Sequence, residues 1–146
     1  MLNTSGIVSP GNSVGVLTID GNYTQSAGGT LVLEIDAANS FDVLNVTGDA
    51  NLGGTLSVLL DANFDLMAGQ NFLVANIGGF SIDQFSGLTQ GGIVASDNGF
   101  DLRIDYFGGD GNDLRLTTGV VVPEPASLGV VFFAIASCTM RRRRIT

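Results

Sequence analysis

Gly28-Gly29-Thr30-Leu31-Val32-Leu33-Glu34-Ile35 is restated 25 residues later as Gly53-Gly54-Thr55-Leu56-Ser57-Val58-Leu59-Leu60. In each copy a glycine pair turns the chain and an alternating run follows. In the first run Leu31, Leu33 and Ile35 fall on one face and Val32, Glu34 and Asp36 on the other. Val46-Thr47-Gly48 likewise restates Ile19-Asp20-Gly21. A period of this size, made of short strands and glycine turns, predicts units that bury their apolar faces only by stacking on one another. The expected body is all-β, a parallel β-solenoid (β-helix) of about four or five coils. The same alternation also suits an antiparallel β-sandwich of roughly eight to ten strands.

Working outward, Ser9-Pro10-Gly11-Asn12-Ser13 is a turn cluster, and Val14 to Asp20 then alternates as a strand. After Leu60 the repeat decays. Asp61 to Gln70 reads as a loop and Asn71 to Asn76 as a strand with Phe72 and Val74 on one face. Phe100, Leu102, Ile104 and Tyr106 alternate with Asp101, Arg103 and Asp105, the cleanest half-buried strand in the chain. Leu114 and Leu116 close the body.

Composition narrows what this body does. Of 14 acidic residues only Glu124 lies beyond residue 119, whereas four of the six basic residues do. The body is therefore strongly anionic, which argues against a nucleic-acid partner. It has no histidine, lysine or tryptophan, and the single cysteine, Cys138, lies in the tail, so neither disulfides nor thiol chemistry are expected of the body. Met1-Leu2-Asn3-Thr4-Ser5-Gly6 has no basic start and no apolar run, so the body reads as N-terminally incomplete, with an export signal expected upstream.

Three groups of residues in the body invite a chemical reading. Gly108-Gly109-Asp110-Gly111-Asn112-Asp113 begins like a calcium-binding glycine-aspartate nonapeptide, which makes Asp110 and Asp113 weak calcium candidates, although Arg115 stands where an apolar residue belongs. Glu34 with Asp36, and Asp101 with Asp105, share strand faces and offer carboxylates to a polysaccharide lyase or glycoside hydrolase. Tyr23, Tyr106 and Phe107 offer aromatic faces to a carbohydrate-binding or adhesion module, provided they share one exposed surface. Solvated strand faces and a glycine turn account for the first two groups without chemistry, so no catalytic residue is assigned and no cofactor is expected apart from that calcium.

The tail has three physical parts. Residues 120–125 form an extended linker, because Pro123 and Pro125 fix their own φ and push Val122 and Glu124 into β or polyproline II space. The next fifteen residues are Ala126, Ser127, Leu128, Gly129, Val130, Val131, Phe132, Phe133, Ala134, Ile135, Ala136, Ser137, Cys138, Thr139 and Met140. They carry no charge and no polar face, which predicts a single transmembrane helix, about 22 Å long against a hydrocarbon core of about 30 Å. Arg141, Arg142, Arg143 and Arg144 then set its orientation, with the C-terminus inside and the body outside the cytoplasm.

Val122-Pro123-Glu124-Pro125 followed by an apolar segment and an arginine cluster resembles the PEP-CTERM sorting signal of bacterial envelope proteins. The resemblance covers Val122 to Arg144. It implies a processing peptidase, exosortase, as partner, with Val122 to Pro125 as the sorting and processing motif, residues 126–140 as a transient inner-membrane segment and Arg141 to Arg144 as the cytoplasmic stop signal. The run from Ser9 to Gln25, the doubled Gly-Gly-Thr-Leu phrases and Phe107 to Leu114 are similar to the β-helical repeats of autotransporter-type passenger proteins. Together these resemblances imply an exported cell-surface or extracellular-matrix protein, with extracellular polysaccharide as a further partner.

Overall fold

The computed structural model describes residues 1–121, and every regular element among them is a β-strand. The first pass of the chain lays down β1 (Leu2–Asn3), β2 (Ile7–Val8) and β3 (Val16–Ile19). The second adds β4 (Tyr23–Gln25), β5 (Thr30–Ala37), β6 (Ser40–Phe41) and β7 (Val43–Val46). The third adds β8 (Ala50–Asn51), β9 (Thr55–Leu60), β10 (Asn71–Ile77) and β11 (Ser81–Ile82). A meander of β12 (Ile93–Asp97), β13 (Phe100–Gly108) and β14 (Asp113–Val120) completes the body.

Three sheets result. One runs β1-β4-β8-β11, parallel throughout. A second runs β2-β5-β6, with β9 also on β5; there β2 and β9 are parallel to β5 and β6 is antiparallel to it. The third has six strands in the order β12-β13-β14-β10-β7-β3. The repeated phrases lie side by side, with Thr30 opposite Thr55 and Ile35 opposite Leu60. Gly54 makes this close approach possible: it adopts φ +59°, and a Cβ there would collide with the Gly29 carbonyl oxygen.

The expected parallel solenoid of four or five coils is not what forms. Two of the three sheets are mixed, and the whole makes an open half-barrel. In the six-stranded sheet β3, β7 and β10 are parallel, but β10 takes β14 antiparallel on its other side, and β13 and β12 follow antiparallel. The alternative sandwich fails as well, since the strands before β12 pair mainly in parallel. The difference has a physical source. Alternation of side chains is the same in both strand directions, and direction is set by the connections. Asn98 (φ 50°) and Gly99 (φ 79°) make the tight left-handed turn of a hairpin between β12 and β13, and Gly108 to Asp113 turns the chain directly from β13 into β14. No helix among the described residues is long and apolar enough to cross a membrane, and the expected transmembrane helix at 126–140 lies outside those residues.

The predicted apolar faces turn inward. Leu31, Leu33, Ile35, Phe72 and Val74 are fully buried, as are Leu102 and Leu114 from the meander. Phe72 is the centre of an aromatic group, meeting Phe41 edge to face at 5.3 Å and Phe64 at 6.2 Å.

Candidate functional site

Two turns that are distant in sequence lie together beside β11 and the end of β13. After β10 the chain runs through Gly78-Gly79-Phe80, and the Phe80 N–H donates to Asp49 Oδ1 at 2.8 Å while its carbonyl accepts from Ala50 N at 2.9 Å. Gly79 lets the turn sit that close, because a Cβ there would collide with the same Asp49 oxygen. The backbone is thereby held, and the Phe80 ring stands 75 % exposed. On the other side Phe107 is 66 % exposed, with its N–H donated to Asp105 Oδ1 at 3.0 Å. The space between them, about 370 Å³, is also lined by Ser81, Asp83, Gln84, Tyr106, Gly111 and Asn112.

The walls of this groove are fixed from behind. Asn112 Nδ2 donates to the Ile77 carbonyl at 2.9 Å and also to the Gly79 carbonyl, which ties the β13–β14 turn to the Phe80 turn. The Tyr106 hydroxyl donates to the Leu88 carbonyl at 2.6 Å and accepts from Phe85 N at 3.2 Å. Burial pushes its pKa up, against the opposing effect of the Phe85 N–H. Asp83 holds φ 60°, the left-handed setting that aspartate enters more readily than most non-glycine residues.

No family model matches this chain, and no curated protein matches it. Chemistry must therefore be read from the side chains.

The residues singled out in the sequence fall into separate places. Asp110 and Asp113 do line a common groove of about 340 Å³, together with Asn45, Thr47 and Asn76. Asp113 is buried, however, and its Oδ1 accepts the Ile77 N–H at 2.7 Å. Among the described residues no three acidic, histidine or cysteine side chains gather as a metal would require. Asp110 and Asp113 supply two carboxylates, one already bonded to the backbone, toward the roughly six to eight oxygens that calcium takes. The turn docks β14 onto β10.

Glu34 and Asp36 line a shallow groove of about 190 Å³ with Leu59, Leu60 and Asp61, on the sheet that carries β5 and β9. Asp101 and Asp105 lie on β13, in the six-stranded sheet. Asp101 is buried, accepting from Ser96 Oγ at 2.6 Å and pairing with Arg103 at 3.0 Å. The Gln90 amide first, then Arg115 and the Phe107 N–H, hold the Asp105 carboxyl below the usual carboxylate range. These carboxylates are bound into the β13 surface by neighbouring donors, and the structure does not gather them with Glu34 or Asp36 around one cleft.

Of the three aromatic candidates, Tyr23 and Tyr106 are buried and only Phe107 is exposed, so the three share no open face. The ring beside Phe107 is Phe80, which the sequence shows merely as the end of a glycine turn. Nothing local announces it. Val122 to Arg144, the sorting residues, lie outside the described residues.

Proposed function

We propose that the chain is an exported, non-enzymatic bacterial surface or extracellular-matrix protein whose C-terminal tail is a sorting signal processed by an exosortase-type peptidase. The observation that carries this reading is the order of parts in the tail: Val122-Pro123-Glu124-Pro125, an uncharged run from Ala126 to Met140, and then Arg141 to Arg144. The prolines keep the motif extended, the backbone form in which a peptidase binds its substrate. The apolar run favours hydrocarbon over water, and the four guanidinium groups resist passage through the bilayer, so translocation halts with the body outside. A segment of about 22 Å borrows length from snorkelling arginines, which suits a short-lived anchor.

The body supports the reading at its exit. β14 ends at Val120, and Val120 and Val121 are 67 % and 45 % exposed, so the sheet releases the chain at its surface. The test is expression behind an added export signal peptide in paired hosts that possess or lack the peptidase, followed by intact-mass measurement. The expected product in the peptidase-positive host is a shortened body without the arginine tail, and Glu124→Ala with Pro125→Ala should restore the full-length mass. A full-length wild-type chain persisting in the peptidase-positive host overturns the proposal.

A further inference from the structure

We propose that the groove between Phe80 and Phe107 binds a neutral polysaccharide, with its pyranose rings stacked against the two phenyl faces. The proposal concerns the body alone and is independent of the tail.

Exposure is the first argument. Phe72 and Phe85 are packed away with Tyr23, whereas Phe80 and Phe107 keep 75 % and 66 % of their surface in water while lining the same groove. Covering a phenyl face recovers apolar area that the fold itself leaves wet. Both rings stand on backbone already fixed, through the Asp49 bond to Phe80 N and the Asp105 bond to Phe107 N. Ordering them on a ligand therefore costs little further backbone entropy.

The lining between the rings chooses the ligand. Asp83 and Gln84, both exposed, bring a carboxylate and an amide to the lining and Ser81 adds a hydroxyl. Asn112, spent on the Ile77 and Gly79 carbonyls, only braces the wall. A pyranose has the matching surface: C–H bonds over its faces and pairs of hydroxyls around its rim, which carboxylates and amides bind as donors and acceptors. The volume of about 370 Å³ lies within the range of roughly 300–1,000 Å³ usual for small-ligand sites. Charge excludes the acidic polymers. The groove carries a carboxylate and no cation in its lining, and the body is strongly anionic, so uronate or sulfated chains are repelled.

The test is native gel electrophoresis of the full chain, kept dispersed in a polyoxyethylene detergent without sugar head groups, through gels containing neutral glucan, mannan, galactan or xylan, and through an alginate gel. At least one neutral polymer should retard the wild type, while alginate should not. Phe80→Ala and Phe107→Ala should each weaken binding about tenfold, as expected for losing one stacked ring. Phe80→Trp should bind at least as tightly as wild type, and Ile7→Ala, an exposed apolar residue on β2, should bind unchanged. Circular dichroism of each variant checks that the fold persists. Retardation by none of the neutral polymers, retardation by alginate alone, or equal retardation of the wild type and the two alanine variants overturns the proposal. The sorting proposal is unaffected by any of these outcomes, because no step of this experiment involves the peptidase.

Discussion

Asp42 sits between Phe41 and Val43 in a stretch that reads as plain strand, and its carboxylate is fully buried. Oδ1 accepts from Gly15 N at 2.8 Å and Oδ2 from Glu34 N at 2.9 Å, so one side chain joins the chain ahead of β3 to the middle of β5. A buried carboxylate survives when backbone donors replace the water it lost. Nothing in the local pattern distinguishes Asp42 from a solvent-facing acid, because its partners are 27 and 8 residues away. The tyrosines allow a direct measurement at this scale. The chain has two tyrosines and no tryptophan, and both tyrosines are buried. Burial raises the pKa of each phenol, opposed by the Asn3 side chain at Tyr23 and the Phe85 N–H at Tyr106. A raised folded pKa means that the stability due to these groups is complete below the unfolded value of about 10 and is lost as pH rises through the folded value. Absorbance at the phenolate band should therefore titrate with a midpoint above about 10 and together with loss of β-sheet circular dichroism. Two free phenols titrating near 10 in folded protein would contradict the burial of Tyr23 and Tyr106.

At the scale of elements, the glycine pairs do more than turn the chain. Gly54 rests on the Gly29 carbonyl, whereas a methyl group added at Gly87, which holds φ +70°, would meet nothing within 4 Å. Gly87→Ala should cost about 1 kcal/mol from backbone strain alone, and Gly54→Ala about 2 kcal/mol or more, since it adds a clash between β5 and β9. Urea denaturation of the two variants makes the comparison, and equal losses would mean that the two Gly-Gly-Thr-Leu phrases do not stack this closely. The repeat is legible because it is local, and so are the strands: Thr30 to Asp36 and Asn71 to Asn76 match β5 and β10 to within a residue or so. Strand direction is not legible in the alternation, which is blind to it. The Asn98-Gly99 dipeptide is the one local signal that β12 and β13 are antiparallel.

Taken whole, the molecule gathers its negative charge on a body with two arginines, Arg103 and Arg115, each already paired with an aspartate. Self-repulsion among the remaining carboxylates opposes the compact state, and salt screens it over about 10 Å at 0.1 M. Raising sodium chloride from about 0.01 M to about 0.2 M should raise the urea midpoint at neutral pH. A fall would show that the Arg103 and Arg115 pairs outweigh the repulsion. The all-β character and the inward faces of the strands were determined by the sequence alone, because each depends on residues close together in the chain, and the acidity of the body follows from composition. The mixed strand directions, the clamp at Asp42 and the sharing of one groove by Phe80 and Phe107 were decided only in the tertiary structure. Those features join residues that are neighbours in space but not in the chain, and a one-dimensional pattern carries no record of which turns will close on each other.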